Sequence, residues 1–208
     1  FTCFCGFIMN ESELFKLRFS KQSLVDIYLR YIHFTPSTGI DGVSANEKYD
    51  YETEIELIIR KVHTGTYRFS RYKEKLISKG AEKYPRVISI PTVRDRLVLK
   101  VLHLFLQDIF PENSKSLIPQ IMLDKIKTDV KNPSYNSFIK IDIKNFYPSI
   151  DRALLLSKTF NKIKNDEARN LISKALMNPT GRKVNECGVP QGLSISNILA
   201  EMYVSDVD

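Results

Sequence analysis

Between Arg94 and Phe110 almost every face of a helix would be apolar, with Leu97, Val98, Leu99, Val101, Leu102, Leu104, Phe105, Leu106 and Ile109. A helix of this kind has to be covered on all sides, so the chain is expected to build its layers around it. Lys100, His103, Gln107 and Asp108 interrupt the run, which argues for burial in protein rather than in a bilayer. Arg94, Asp95 and Arg96 are expected to start and cap this helix, and Pro111 to end it. His103 reads as a packed, hydrogen-bonded imidazole rather than a ligand.

The flanking elements follow from periodicity. Ser23 can cap a helix that carries Leu24, Ile27, Tyr28, Tyr31 and Ile32 on one face and ends by His33. Tyr51 to His63 places Ile55, Ile58, Ile59 and Val62 at helical spacing, with Gly65 as the C-terminal cap. Tyr67 to Lys79 and Arg86 to Ile90 read as two strands joined by a turn at Gly80. Gln120 to Val130 reads as a helix with Met122, Ile126 and Val130 in line. Phe138 to Ile143 alternates bulky apolar with polar residues, the pattern of a short strand, and pairing should stop before Pro148. Ser149 or Asp151 can then cap a helix through Arg152, Leu155 and Leu156. Asp166 to Met177 and Ser194 to Val204 complete the helices, with a break at Asn178–Gly181 and a short extended arm at Lys183–Glu186. The expected class is α+β, an antiparallel sheet with helices on one face.

Charge narrows the partners. The chain carries 31 Lys and Arg against 24 Asp and Glu, a net +7, which favours polyanionic ligands. Six of the basic residues, Arg71, Lys73, Lys75, Lys79, Lys83 and Arg86, fall on the expected hairpin, interleaved with Tyr72 and Tyr84. Such a run is ordinarily a solvated face, yet this one also suits phosphates. The three cysteines (Cys3, Cys5 and Cys187) form neither a disulfide framework nor a zinc spacing, so a reducing, cytoplasmic setting is expected. Phe1 to Ile8 lack the basic region and cleavage site of a signal peptide. These eight residues are expected to be upstream readthrough or a fragment edge, with Met9 as the natural start.

Two strings carry a family resemblance. Asp142-Ile143-Lys144-Asn145-Phe146-Tyr147-Pro148-Ser149-Ile150 resembles the first catalytic-aspartate motif of reverse transcriptases. Gly188-Val189-Pro190-Gln191-Gly192-Leu193-Ser194-Ile195-Ser196-Asn197 resembles their Pro-Gln-Gly motif, in the family's order. Upstream, Arg86-Val87-Ile88-Ser89-Ile90-Pro91-Thr92-Val93-Arg94-Asp95-Arg96 is similar to the family pattern Arg-x-x-x-Ile-Pro-x-x-x-Asp-Arg. Gly39-Ile40-Asp41-Gly42 resembles the turn that precedes the fingers in group II intron-like members. Tyr-Pro-Ser-Ile and Gly-Leu-Ser-Ile-Ser-Asn look most like the phage-defence, abortive-infection-type enzymes, while the Gly-Ile-Asp-Gly string keeps the intron type open.

The resemblance implies a right-hand polymerase, with residues 1–22 an N-terminal extension, 23–135 fingers with N-terminal helices, and 136–208 a partial palm. It implies RNA-directed DNA synthesis on an RNA template and DNA primer from deoxynucleoside triphosphates, with two Mg2+ ions (Mn2+ as an alternative). Asp142 and the backbone carbonyl of Ile143 would be metal ligands. Lys79, with Lys83 as a rival, and Arg86 would hold the triphosphate. Tyr147 would stack under the sugar and exclude a 2′-hydroxyl, with Phe146 a core residue. Gln191 would contact the nucleotide or template base, and Gly192, Arg71 and Lys73 the template and primer. Ser196 and Asn197 are expected to cap or brace the helix that follows. The family's aromatic-x-Asp-Asp turn is absent from these 208 residues. Asp206 and Asp208, at the end of a helix, are expected to have no part in catalysis. These residues alone are therefore expected to bind nucleic acid without polymerising. The alternatives are a binding-only relative and an RNA-dependent RNA polymerase. No membrane is implied, and oligomeric state is left open.

Overall fold

The computed structural model describes residues 9–45, 49–81, 84–112, 119–132, 134, 137, 139, 142–182 and 184–205. In chain order the elements are α1 (Glu11–Arg18), α2 (Lys21–Ile27) continued by a π-helical turn (Tyr28–Ile32), α3 (Tyr51–His63), β1 (Lys73–Ile77), β2 (Arg86–Ile90), α4 (Val93–Ile109), α5 (Pro119–Val130), α6 (Phe146–Ser149), α7 (Arg152–Lys162), α8 (Asp166–Met177) and α9 (Ser196–Val204).

Helix α4 is the pillar. Val93, Leu97, Val98, Leu99, Val101, Leu102, Phe105 and Leu106 are all buried, because α1, α2, α3, the π-helical turn, α8 and α9 all pack against it. Arg18 of α1 grips Asp108 with both ends of its fork, at 2.7 and 2.8 Å. Arg94 reaches Glu54 of α3 at 3.3 Å. One cluster of buried side chains runs from Phe15 to Met202. His103 is half-buried, and its Nδ1 has no hydrogen-bond partner among the described residues. Burial first, then the Lys100 charge, holds its pKa below the usual histidine range, the Ser194 backbone opposing.

The start of α4 differs from the sequence expectation in an informative way. Thr92 is the cap, accepting from the Asp95 N–H at 3.3 Å. Asp95 is fully buried and its carboxylate faces the incoming chain, accepting from the Tyr67 hydroxyl at 2.6 Å and the Ser70 N–H at 2.9 Å. This contact turns residues 67–70 inward, which explains why β1 begins at Lys73 rather than Tyr67. Tyr72 forms an isolated bridge with Thr180 instead. Arg96 latches the loop before α3, donating to Ser37 O at 2.7 Å and to the Thr35 hydroxyl.

Local caps account for the other helices. Asn10 and Glu13 form a reciprocal capping box on α1. Ser20, three residues ahead of the expected Ser23, caps α2. Asp151 caps α7 as expected, Asn165 caps α8, and α9 starts at Ser196 rather than Ser194. Among the described residues the sheet consists of β1 and β2 alone, antiparallel, with Lys73 opposite Ile90 and Ile77 opposite Arg86. The expected strand at Phe138–Ile143 is not seen where it can be judged. Ile139, Asp142 and Ile143 carry no strand geometry, and Ile139 is 87% exposed; Phe138, Lys140 and Ile141 lie outside the described residues. A strand is made by pairing its backbone groups with a neighbour, and no such pairing is present at the described positions 139, 142 and 143. The palm sheet is thus not formed among the described residues, and residues 184–186 of the expected extended arm are neither helix nor strand. No described helix is long and apolar enough to cross a membrane.

Asp95→Ala leaves the Tyr67 hydroxyl and the Ser70 N–H unpaired in the interior, and should cost about 2–3 kcal/mol in urea unfolding. Burial raises the Asp95 pKa above its ordinary 3.8 despite the hydrogen bonds that oppose the shift. A carboxyl shifted upward contributes its stability below the ordinary value and loses it as pH rises through the raised one. Asp95→Asn, which cannot titrate, should flatten that part of the stability–pH curve.

Candidate active site

Three segments meet beside the hairpin, and residues 188–196 join them. Gly188 has φ +68°, and a Cβ there would lie 2.6 Å from Tyr147 O and 2.7 Å from Pro148 Cα. The next residue, Val189, donates its N–H to Tyr147 O at 2.9 Å. Gln191 O accepts from the Ser89 N–H of β2 at 2.7 Å. Gly192, at φ +99°, lies so close to β2 that a Cβ would sit 2.7 Å from Ile88 Cγ2 and 2.9 Å from Ser89 O. Ser196 Oγ donates to Pro190 O at 2.6 Å and closes the turn into α9. Arg152 anchors the same segment by donating to Gly188 O at 3.0 and 3.2 Å and to Asn185 O at 2.7 Å.

The base of the hairpin is stitched down in the same way. The Ser89 and Thr180 hydroxyls lie 2.8 Å apart, the Tyr72 N–H donates to Pro179 O at 2.9 Å, and the Gly181 N–H donates to Tyr72 O at 2.9 Å. The hairpin therefore projects from a fixed base. Its β1 strand is exposed throughout, and β2 is buried only at Ser89.

A cavity of about 1150 Å³ opens between these segments. Lys79, Tyr84 and Arg86 of the hairpin line it, together with Asp142 to Pro148 and, from the connecting segment, Cys187 and Val189 to Gln191. Its described lining holds the cations Lys79, Arg86 and Lys144 and one carboxylate, Asp142. The backbone reaches this arrangement through Asn145, the one described non-glycine residue at positive φ, 55°. That left-handed residue turns the chain from Asp142 into α6, and asparagine tolerates it better than most side chains. Tyr147 is half-buried, its ring centroid 5.5 Å from that of Phe146, and its hydroxyl donates to Asn197 Oδ1 at 2.7 Å. Burial, with the Glu201 charge adding and Arg86 opposing, pushes the Tyr147 phenol above its usual range. Burial likewise raises the carboxyl of Glu201.

Six residues singled out in the sequence, Lys79, Arg86, Asp142, Ile143, Tyr147 and Gln191, line this one cavity. Gly192, Arg71 and Lys73 do not. The close backbone approach of Gly192 is made to β2, Arg71 donates to Gly181 O at 3.1 Å, and Lys73 donates to the Thr38 hydroxyl at 3.3 Å. Phe146, expected in the core, packs against it and also faces the cavity. Ser196 braces α9 as expected, whereas Asn197 turns to Tyr147. Thr180, Asn185 and Cys187 line the cavity without any sequence signal that marked them. Lys83, Asp206 and Asp208 lie outside the described residues.

For a divalent cation the donors are hard oxygens, the Asp142 carboxylate and a neighbouring backbone carbonyl, which suit magnesium and leave most of its shell to water and phosphate. Among the described residues no three His, Cys, Asp or Glu side chains gather closely enough to hold a metal. Asp142 thus fits as one ligand of a site that needs others.

Residues 77–208, well over half of the chain, match the family described as reverse transcriptase (RNA-dependent DNA polymerase). The chain belongs to this family. It is 29% identical over 171 residues to the group II intron-encoded protein LtrA of Lactococcus lactis subsp. cremoris, covering 76% of this chain and 28% of that protein. It is 30% identical over 166 residues to an uncharacterized 91 kDa protein in cob intron of Schizosaccharomyces pombe, covering 74% of this chain and 20% of that protein. The chain thus spans about a quarter of the length of these curated relatives. The fold is shared with the partial Cas6-RT-Cas1–Cas2 complex, at a TM-score of 0.59 and 16% identity, over 100% of this chain and 38% of that one.

A methyl at Gly188 or Gly192 meets fixed backbone in a left-handed region. Gly188→Ala and Gly192→Ala should each cost at least about 1–2 kcal/mol from backbone conformation alone, with the clash in addition. Urea unfolding checks this; a change within error at Gly188 would contradict the packing on Tyr147 and Pro148.

Proposed function

We propose that this chain carries the nucleotide-binding half of an RNA-directed DNA polymerase active site, in which Asp142 holds metal and Lys79 and Arg86 hold the incoming triphosphate. The observation that carries this is one cavity lined by both Asp142 and the hairpin cations Lys79 and Arg86. Arg86 offers a planar fork that matches phosphate oxygens, and Lys79 adds a mobile point charge. Two bound Mg2+ ions, or Mn2+, would supply charge neutralisation for the in-line displacement at the α-phosphorus. Asp142 and the Ile143 carbonyl would contribute ligands, with further carboxylates coming from residues other than those described.

The remaining side chains position the substrate. Tyr147 lies where its ring can pack under the deoxyribose and occupy the space of a 2′-hydroxyl. Gln191, held by its own carbonyl on β2, presents its amide to the nucleotide or template base. The exposed hairpin with Arg71 and Lys73, and the backbone at Gly192, would follow the template–primer duplex. We assign residues 23–135 to the fingers and 136–208 to part of the palm, preceded by an N-terminal extension, and place the protein in the cytoplasm. The intron-encoded relatives support an intron-type RNA substrate. The Tyr-Pro-Ser-Ile and Gly-Leu-Ser-Ile-Ser-Asn strings support a defence-type element instead. A binding-only relative is the second reading, favoured by the single described carboxylate in the cavity.

In the polymerase that contains this chain, Asp142→Asn should reduce primer extension on an RNA template to background while nucleic-acid affinity changes little. Retained extension would remove Asp142 from the metal site, and a wild-type enzyme inert with both Mg2+ and Mn2+ would favour the binding-only reading. Arg86→Ala should raise the KM for deoxynucleotide about ten- to a hundredfold, the loss of charge-assisted hydrogen bonds to phosphate. Binding of the present chain to an RNA–DNA duplex should weaken steadily with added salt; affinity independent of salt would count against the basic hairpin as the contact.

A further inference from the structure

The ring of Tyr147 is held from two directions. Its backbone carbonyl accepts from Val189 at 2.9 Å, with the Cα of Gly188 pressed against the same peptide. Its hydroxyl donates to Asn197 Oδ1 at 2.7 Å, fifty residues along the chain. Asn197 sits in the first turn of α9, and α9 is one of the best anchored elements near the cavity. Ile198, Leu199, Ala200 and Met202 are buried, α9 lies against α7 and α4, and Ser196 ties its start to Pro190. Asn197 itself is exposed, and its amide is placed by the anchored backbone of α9.

This geometry has a mechanical consequence. A tyrosine anchored only through its backbone can change rotamer, because one side of the ring faces an open cavity. Fastening the phenol to a rigid helix removes that freedom at the end of the ring farthest from the main chain. A wall that excludes one hydroxyl group must resist displacement by roughly the size of that group, so the fastening bears directly on selectivity.

We propose that Asn197 is a positioning residue that fixes Tyr147 as the sugar-discriminating wall of the nucleotide cavity, making the Tyr147–Asn197 pair the determinant of selection against ribonucleotides. The inference rests on the assignment of Tyr147 to the sugar subsite. Asn197 touches neither substrate nor metal; it acts through the phenol. Loss of either member frees the ring, so removing the phenol hydroxyl and removing the amide are equivalent lesions.

The test is the ratio of kcat/KM for a deoxynucleotide to that for the matching ribonucleotide, measured by single-nucleotide extension with the polymerase that contains this chain. Asn197→Ala should lower the ratio about two- to tenfold, the population shift that one neutral hydrogen bond can hold, chiefly by lowering the KM for the ribonucleotide. Tyr147→Phe should lower it by a similar factor, and the double variant should fall no further, since both remove one interaction. Asn197→Asp keeps an acceptor at the same place and should preserve most of the selectivity. Additive single effects, or an Asn197→Ala loss that reduces kcat equally for both sugars, would overturn the pairing and leave only a helix brace. Tyr147→Ala separates the two levels: if it collapses the ratio while Asn197→Ala does nothing, the wall stands and the positioning role falls. An unchanged ratio in Tyr147→Ala would remove both.

Discussion

The described core is arranged around α4. A seventeen-residue helix with apolar side chains on nearly every face cannot be half-solvated without exposing several large aliphatic groups, each worth about 1.5–3 kcal/mol when buried. The N-terminal helices supply part of the cover and α8 and α9 the rest. Distant segments also meet where the chain enters α4 from β2: Tyr67 and Ser70 on Asp95, Tyr72 on Pro179, and Ser89 on Gln191.

Polar contacts then convert this proximity into a defined site. Asp95, buried at the start of α4, receives Tyr67 and Ser70 and so sets where the chain leaves the core to form the hairpin. The segment around Gly188 and Gly192 does the complementary work from the other side. It binds β2 through Gln191 O and Tyr147 through Val189 N–H, and glycine is required at both ends because no side chain fits between the backbones. The Pro-Gln-Gly string is thus a structural splice as well as a source of the Gln191 side chain. The cations of the hairpin and the carboxylate of Asp142 line one cavity because this splice ties the segments that carry them together.

Local chemistry was the part most legible in the sequence. The helix at Tyr51–His63 and the one at Asp166–Met177 have the bounds their periodicity implied, because each has a good capping residue and one apolar face. The family, and six of the side chains that line the cavity, could be read from short strings in which residue type and spacing are constrained together. Shifts of a few residues at helix starts came from competition between neighbouring caps, Ser20 over Ser23 and Thr92 over the Arg94–Arg96 group. Such competition is decided by backbone direction into the helix, which periodicity does not encode.

The sequence by itself determined that α4 would be buried and that a basic hairpin would precede it, and its short strings singled out Asp142, Arg86, Tyr147 and Gln191, which line one cavity. Those readings depend on side-chain type and near-neighbour spacing alone. Only the tertiary structure decided that Phe138–Ile143 has no strand geometry at its described positions, since a strand exists only when another backbone lies beside it. Only the tertiary structure decided that Gly192 abuts β2, that Asp95 turns inward to Tyr67, and that Asn197 holds Tyr147. Each of those is a contact between residues far apart in the chain, and its partner is chosen by the packing around α4.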